Sequence, residues 1–178
     1  SDLRGVSFTD ANTGTIVGQG GTILRTVDGG TSWTTQASGT AYLFLGVSFT
    51  DANRGTVVGI NGTILHTVNG GTSWTACDGN LPDMPVRWAL FYPGTNGKAF
   101  IATETGVWQS DSLLGASTVW TANASFPTVS THMLKYRSGD GTIAAATHGR
   151  GLWSATLPNV TPPPPVAGIT ADKTSICP

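Results

Sequence analysis

The strongest constraint on the fold is a 29-residue phrase that the chain contains twice. The first copy runs from Gly5 to Trp33 (GVSFTDANTGTIVGQGGTILRTVDGGTSW), and the second runs from Gly46 to Trp74 (GVSFTDANRGTVVGINGTILHTVNGGTSW), 41 residues further along. Only six of the 29 aligned positions differ. A period of about 40 residues is typical of repeat proteins, in which each unit buries its apolar face against the next copy. The sequence therefore predicts a stack of similar supersecondary units.

Each copy predicts four short antiparallel β-strands. In the first copy Val6 and Phe8 alternate with polar residues, as in a half-buried strand, and glycine-rich turns separate β-branched runs. No stretch has helical periodicity, and 24 glycines with 11% charged residues suit short strands joined by tight turns. Four antiparallel strands in about 41 residues are the size of one β-propeller blade. The strands predicted for the first copy lie at 6–9, 15–18, 22–27 and 32–36.

The turn before the last strand of each copy carries a motif. Residues 26–33 read TVDGGTSW and residues 67–74 read TVNGGTSW, which resemble the Asp-box or BNR repeat, Ser/Thr-x-Asp-x-Gly-x-x-Trp. An Asp or Asn side chain accepts hydrogen bonds across its own turn, glycines supply positive φ, and Trp fills the space between layers. A degenerate third box with a longer turn ends at Trp120. The resemblance implies structural roles for Thr26, Asp28, Gly30 and Trp33, for Thr67, Asn69, Gly71 and Trp74, and for Ser110, Asp111 and Trp120.

The repeat continues more loosely after the second copy. We expect an all-β propeller segment at 1–157, with about three and a half of about six to eight blades. A Pro-rich linker at 158–165 follows, and residues 166–178 resemble the first strand of a PKD-type, immunoglobulin-like β-sandwich. The chain opens at Ser1 directly on a repeat and stops as a strand begins, so we expect a fragment of a larger exported bacterial protein of the Bacteroidetes type. The predicted blades lie at 5–36, 46–77, 86–122 and 132–157.

Composition argues against several kinds of partner. The net charge of −1 offers no basic field for nucleic acid, and no apolar run is long enough to span a bilayer. We therefore expect neither nucleic-acid binding nor membrane insertion. Cys77 and Cys177 lie on opposite sides of the linker, and the sequence leaves open whether they form a disulfide or belong separately to two domains.

No catalytic constellation is evident from the residue pattern. A glycosidase needs two placed carboxylates, yet Glu104 is the one glutamate in the chain, and most aspartates lie in turns. The histidines lack metal-ligand spacing, so we expect no metal or cofactor. His66 replaces the Arg25 of the first copy, which predicts a solvated strand position. His148 and Arg150, a glycine-flanked basic pair at a blade end, are the candidates for ligand binding at the channel face.

Asp-box propellers include sialidases, xyloglucanase-like glycosidases, sortilin-type receptors and photosystem assembly factors, so the resemblance implies several functions. Our hypothesis is a non-catalytic module of a large secreted or cell-surface protein that serves as a structural, adhesion or binding platform. Its expected partners are other domains of the same polypeptide and a surface protein or glycan. One alternative is the C-terminal part of a xyloglucanase-like or sialidase-like glycoside hydrolase, with catalytic residues outside this segment. Another is a few-blade subunit that closes by oligomerising.

Overall fold

In a computed structural model, the described residues are 2–92, 97–137 and 139–156. They form β-strands and two short 3-10 turns, Gln19–Gly21 and Gly115–Ser117. The predicted linker, the predicted immunoglobulin-like strand and Cys177 lie outside the described residues. In chain order the strands are β1 (Leu3–Phe8), β2 (Gly14–Gly18), β3 (Ile23–Thr26), β4 (Thr34–Gln36), β5 (Phe44–Phe49), β6 (Gly55–Gly59), β7 (Ile64–Thr67), β8 (Thr75–Ala76), β9 (Val86–Phe91), β10 (Ala99–Thr103), β11 (Gly106–Ser110), β12 (Thr121–Ala122), β13 (Thr131–Arg137), β14 (Thr142–Thr147) and β15 (Gly151–Thr156).

The strands form four antiparallel sheets, each built from strands that are consecutive in the chain. Blade 1 contains β1–β4, blade 2 contains β5–β8, blade 3 contains β9–β12, and blade 4 contains β13–β15 within the described residues. The first strand of each blade lies beside the first strand of the next, with β1 against β5, β5 against β9 and β9 against β13. This is the arrangement of propeller blades around an axis. The predicted all-β propeller architecture is confirmed.

The core consists of three apolar layers, one between each pair of successive blades. Glycines let the innermost strands approach closely, because a Cβ at Gly5 would lie 3.1 Å from Gly46 Cα, and a Cβ at Gly46 would lie 3.0 Å from Arg87 O. Between blades 1 and 2 the buried residues are Val17, Ile23, Phe44, Val57 and Leu65. Between blades 2 and 3 they include Val58, Ile64, Leu81, Met84, Ile101 and Trp120, and between blades 3 and 4 they include Phe100, Val107, Phe126, Leu134 and Ile143.

The outward face of blade 1 exposes the counterparts of residues that blade 2 buries. Phe44 is 0% exposed, whereas its counterpart Leu3 is 49% exposed. Val47 packs against the core between blades 1 and 2, whereas its counterpart Val6 is 61% exposed. Near-identical sequence therefore forms core in one blade and surface in the other, because burial depends on the neighbouring layer.

The position occupied by Arg25 in one copy and His66 in the other lies between blades. The Arg25 guanidinium carbon is 5.5 Å from the centre of the Phe49 ring, and its Nη2 donates to Ala52 O over 2.6 Å. The His66 ring lies 5.6 Å from that of Phe91, and burial lowers the His66 pKa. The prediction of a solvated position is correct only in part, because both side chains remain partly exposed but reach across to the next blade.

The turns lie at two ends of the blades. One end, which we call the box face, carries the turns between first and second strands and between third and fourth strands, including the boxes at 27–33 and 68–74. The other end, which we call the connector face, carries the turns between second and third strands and the connectors between blades. Those connectors are residues 37–43, 77–85 and 123–130.

The turns between the second and third strands of blades 1 and 2 place two consecutive residues in the left-handed region, and the second of them is glycine in both blades (Gly21 and Gly62). Gly20 has a φ of 68°, and Asn61, its counterpart in blade 2, has a φ of 55°. Asn tolerates this conformation better than most residues with a side chain. The exchange of Gly for Asn between the copies therefore preserves the turn.

Candidate binding face

The first Asp-box is held together by hydrogen bonds within its own turn. Thr26 Oγ1 donates to Asp28 Oδ1 over 2.7 Å and accepts from the Gly30 amide over 2.9 Å. The Ser32 amide donates to Asp28 Oδ1 (2.9 Å), and the Ser32 hydroxyl donates to Oδ2 (2.6 Å). These bonds, above all that from the Ser32 hydroxyl, lower the pKa of Asp28 to about 2. The carboxylate is thus engaged on the box face, away from the connector face.

The second box keeps this geometry with an uncharged side chain. Thr67 Oγ1 donates to Asn69 Oδ1 over 2.9 Å and accepts from the Gly71 amide over 2.9 Å. The Ser73 amide donates to Asn69 Oδ1 over 3.0 Å, and Asn69 Nδ2 donates to the Ser73 hydroxyl over 2.9 Å. The direction of the last bond is reversed relative to the first box, because an amide nitrogen replaces an acceptor oxygen.

The third box has different geometry. Asp111 is exposed and forms an ion pair with Lys98 Nζ over 3.1 Å, and the Ser110 hydroxyl donates to Ser112 O over 2.9 Å. Thr118 Oγ1 accepts from the Leu114 amide over 2.9 Å and so holds the longer turn. Asp111 therefore does not occupy the turn-bridging position of Asp28, because the longer turn is stabilised by Thr118.

The two candidate binding residues lie on the connector face, in the turn at 148–150 between β14 and β15. His148 is exposed, and its ring stacks on that of His132, with ring centres 5.7 Å apart and planes 14° apart. The His148 amide donates to Ser130 O over 2.8 Å, which fixes the turn against the adjoining connector. Arg150 is exposed, and it forms no ion pair with any residue that the structure describes. The turn therefore carries an exposed arginine two residues from a stacked pair of imidazoles.

An ion pair lies near His132. Arg87 on β9 forms an ion pair with Glu104, in the turn between β10 and β11. The Arg87 hydrogen bond is the largest cause of a lowered Glu104 pKa, and the Ser130 hydroxyl and the charge of His132 lower it further. We call Arg87, Glu104, His132, His148 and Arg150 the basic cluster. It joins blades 3 and 4 at the connector face.

Sequence reasoning found two members of the basic cluster and missed three. Arg87 and His132 are each the second residue of an innermost strand, and Arg4 and Leu45 are the corresponding residues of β1 and β5. Comparison of that position across the blades would have grouped Arg87 with His132, but also with Arg4, which lies in blade 1. No sequence spacing indicates Glu104, because its contact with Arg87 depends on the pairing of β9 with β10.

A cleft of about 260 Å³, which we call the rim cleft, lies between the first connector and the outer strands of blade 2. Its floor includes Leu65, Trp74 and Ala76 of blade 2, and one wall includes Thr40 and Tyr42 of the first connector. The lining also includes Ser38, Asn61, Thr63 and Asp78. The cleft thus combines an apolar floor with a polar margin, as ligand pockets commonly do.

The His, Cys, Asp and Glu side chains of the described residues do not gather into a metal site. Within residues 2–92, 97–137 and 139–156, no three His, Cys, Asp or Glu side chains converge as metal ligands would. Glu104, the one glutamate of the chain, forms an ion pair with Arg87. In the same ranges, no helix has the length and apolar character needed to cross a bilayer.

Comparison with known proteins gives a consistent result. The family model of the photosynthesis system II assembly factor YCF48 matches residues 1–158. A solved structure of YCF48 bound to D1 peptide is 30% identical over 82% of this chain and 48% of that chain, with a TM-score of 0.62. YCF48 from Cyanidioschyzon merolae is 20% identical over 88% and 53% of the two chains, with a TM-score of 0.58.

The fold is also similar to that of glycoside hydrolases. An ancestral GH74 enzyme is 14% identical over 88% of this chain and 23% of that chain, with a TM-score of 0.66. At this identity the likeness shows the fold alone. None of the curated proteins matches the chain. The chain spans about half the length of the solved YCF48 chains and less than a quarter of the GH74 chain.

Proposed function

Because this chain belongs to the family of the photosynthesis system II assembly factor YCF48, we propose that it is a non-catalytic propeller module that binds a peptide segment of another protein. The observation that carries the proposal is the relative at 30% identity, a YCF48 bound to D1 peptide. A propeller holds its turns on a rigid β-scaffold, and turns so positioned commonly carry binding residues. The proposal extends a binding role to this chain and leaves the identity of its partner protein open.

The basic cluster is the part of the connector face that suits such a ligand. Arg87 is neutralised by Glu104, whereas Arg150 forms no ion pair in the described part of the chain. His132 and His148 add two exposed, stacked imidazoles, and His148 lies in the same turn as Arg150. A peptide carboxylate, from an acidic side chain or a C-terminus, would receive charge-assisted hydrogen bonds here.

The test uses two fluorescein-labelled ten-residue peptides of Gly, Ser and Ala, one ending in a free carboxylate and the other in an amide. In fluorescence anisotropy we expect the free acid to bind the full chain at least about threefold more tightly. The double variant His148→Gln with Arg150→Gln should remove that difference. Arg54→Gln, an exposed arginine on the box face, is the matched control and should leave it unchanged. Equal binding of the two peptides, or equal loss in the control, would exclude the basic cluster as the site.

A second candidate is a few-blade subunit that closes by oligomerising. It is favoured by the outward face of blade 1, where Leu3, Val6 and Phe8 are about half exposed or more. An apolar face of this kind suits another blade. Light scattering of the full chain separates the candidates: a discrete ring-sized oligomer supports closure, and a monomer at micromolar concentration contradicts it.

We also propose, from the resemblance of residues 166–178 to a PKD-type module, that the chain acts within a larger secreted or cell-surface protein. Those residues lie outside the described part of the structure, so the support is the sequence resemblance alone. Immunoblotting of surface, medium and cytosolic fractions of the source cells tests this. Recovery only in the cytosolic fraction would contradict it.

A further inference from the structure

The connectors between blades differ in what they place in the core. In the second connector, Leu81 and Met84 are buried in the layer between blades 2 and 3. In the third connector, Phe126 is buried in the layer between blades 3 and 4. Each of these connectors therefore fills the rim of its interface with apolar side chains.

The first connector buries none of its residues. Tyr42 corresponds to Met84, because the Gly21 amide donates to Tyr42 O over 2.9 Å as the Gly62 amide donates to Met84 O over 2.8 Å. Yet Tyr42 is 48% exposed, whereas Met84 is 8% exposed. The second connector fills its interface with Leu81 and Met84, whereas the first connector does not fill the corresponding space, and the rim cleft lies there.

Two polar side chains of the first connector form hydrogen bonds with backbone groups of the same connector. The Ser38 hydroxyl donates to Thr40 O over 3.0 Å, and Thr40 Oγ1 accepts from the Tyr42 amide over 3.2 Å. These bonds hold the wall of the cleft in place without filling it. The cavity is therefore preformed, which lowers the entropic cost of binding.

The tryptophan in the floor of the cleft, Trp74, is less buried than Trp120, its counterpart at the next interface. Trp120 is 1% exposed, and its Nε1 donates to Cys77 O over 2.8 Å. Trp74 is only partly buried, packs against the layer between blades 1 and 2, and lines the cleft. Its ring edge contacts Phe49, with ring centres 6.1 Å apart. An incoming apolar group would complete the packing that the second connector supplies around Trp120.

We propose that the rim cleft binds one apolar side chain, of leucine, methionine or phenylalanine size, from an extended peptide segment of a partner protein. The inference rests on the proposed peptide-binding function and assigns it a second contact point, apart from the basic cluster. The chemistry is that of the two neighbouring interfaces, where the connectors supply side chains of this class. Thr40, Asn61 and Asp78 at the margin can bond to the backbone of that segment.

The test is amide NMR of the 15N-labelled full chain with small neutral probes. N-acetyl-leucine methylamide should shift the Trp74 indole N–H and the amides of Thr40 and Ala76. N-acetyl-glycine methylamide, which lacks the side chain, should bind at least about tenfold more weakly. Scattered or absent shifts with the leucine probe overturn the proposal. Shifts at the same residues with methyl glucoside alone also overturn it, because they would identify a sugar site.

Two variants fill the cleft from opposite sides. Thr40→Leu introduces an apolar side chain from the wall of the cleft, and Ala76→Leu enters from the floor. Either should abolish the shifts, so the test survives if one variant fails to fold. Thr128→Leu, an exposed threonine in the third connector, is the matched control and should leave them unchanged. Persistent shifts in both folded cleft variants would refute the assignment.

The neutral probes separate this site from the proposed function as a whole. They carry no carboxylate, so the NMR result does not depend on the basic cluster. If the cleft fails while the labelled acid peptide still binds, the proposed function stands and only the cleft assignment falls. If neither binds, the proposed function fails as well.

Discussion

Replacing Trp120 with phenylalanine is expected to destabilise the protein far more than the same change at Trp74. Trp120 is 1% exposed, and its indole N–H donates to Cys77 O over 2.8 Å. Phenylalanine leaves that carbonyl without its donor, which costs about 1–3 kcal/mol, and removes part of a packed ring, which costs about 1–2 kcal/mol more. We expect the free energy of unfolding to fall by about 3 kcal/mol. Since stabilities of 5–15 kcal/mol are usual, this is a large fraction.

Trp74 is the matched comparison. Trp74 ends the second box, which matches the Asp-box pattern more closely than the box that ends at Trp120. Even so, Trp74 is only partly buried, and its Nε1 has no hydrogen-bond partner among the described residues. Phenylalanine therefore removes no hydrogen bond, and we expect a loss below about 1 kcal/mol. Urea unfolding of the full chain, followed by far-UV circular dichroism, measures both. Equal losses, or a larger loss at Trp74, would show that the motif rather than tertiary burial decides the stability.

Three further predictions concern single positions. The pKa of Asp28 is lowered to about 2 in the fold, so its contribution is present above the unfolded pKa of about 4 and is lost as pH falls toward 2. Asp28→Asn should therefore flatten acid unfolding in that window, monitored by circular dichroism. Gly20→Asn should leave the urea midpoint unchanged, because Asn61 adopts the same turn, whereas Gly20→Val should lower it. Arg87→Gln should raise the Glu104 pKa toward its ordinary value in an NMR titration, and an unchanged pKa would contradict the ion pair.

The sequence predicted part of the candidate site. His148 and Arg150 could be singled out because glycines flank a basic pair where a strand ends. Arg87, Glu104 and His132 could not, because each is an isolated residue in a different segment. They become one cluster only when blades 3 and 4 pack together and bring their innermost strands side by side.

The rim cleft could not be predicted from sequence for a related reason. The connector 37–43 (ASGTAYL) contains no charged residue, whereas 77–85 (CDGNLPDMP) contains two aspartates, and neither composition shows which layer a side chain enters. Tyr42 illustrates this, since an aromatic residue at the position of buried Met84 remains 48% exposed. The cavity arises from the fit of one blade against another, and such fit involves contacts between residues far apart in the chain.

The sequence by itself determined the strands, the turns and the closed geometry of the first two boxes. Those features depend on residues within a few positions of one another, such as Thr26 with Asp28, and on backbone preferences that hold in any context. Only the tertiary structure decided that Phe44 is core while Leu3 is surface, that Trp120 is more deeply buried than Trp74, and that the basic cluster exists. Alternation along a strand defines two faces, and the neighbouring blade determines which of them is buried.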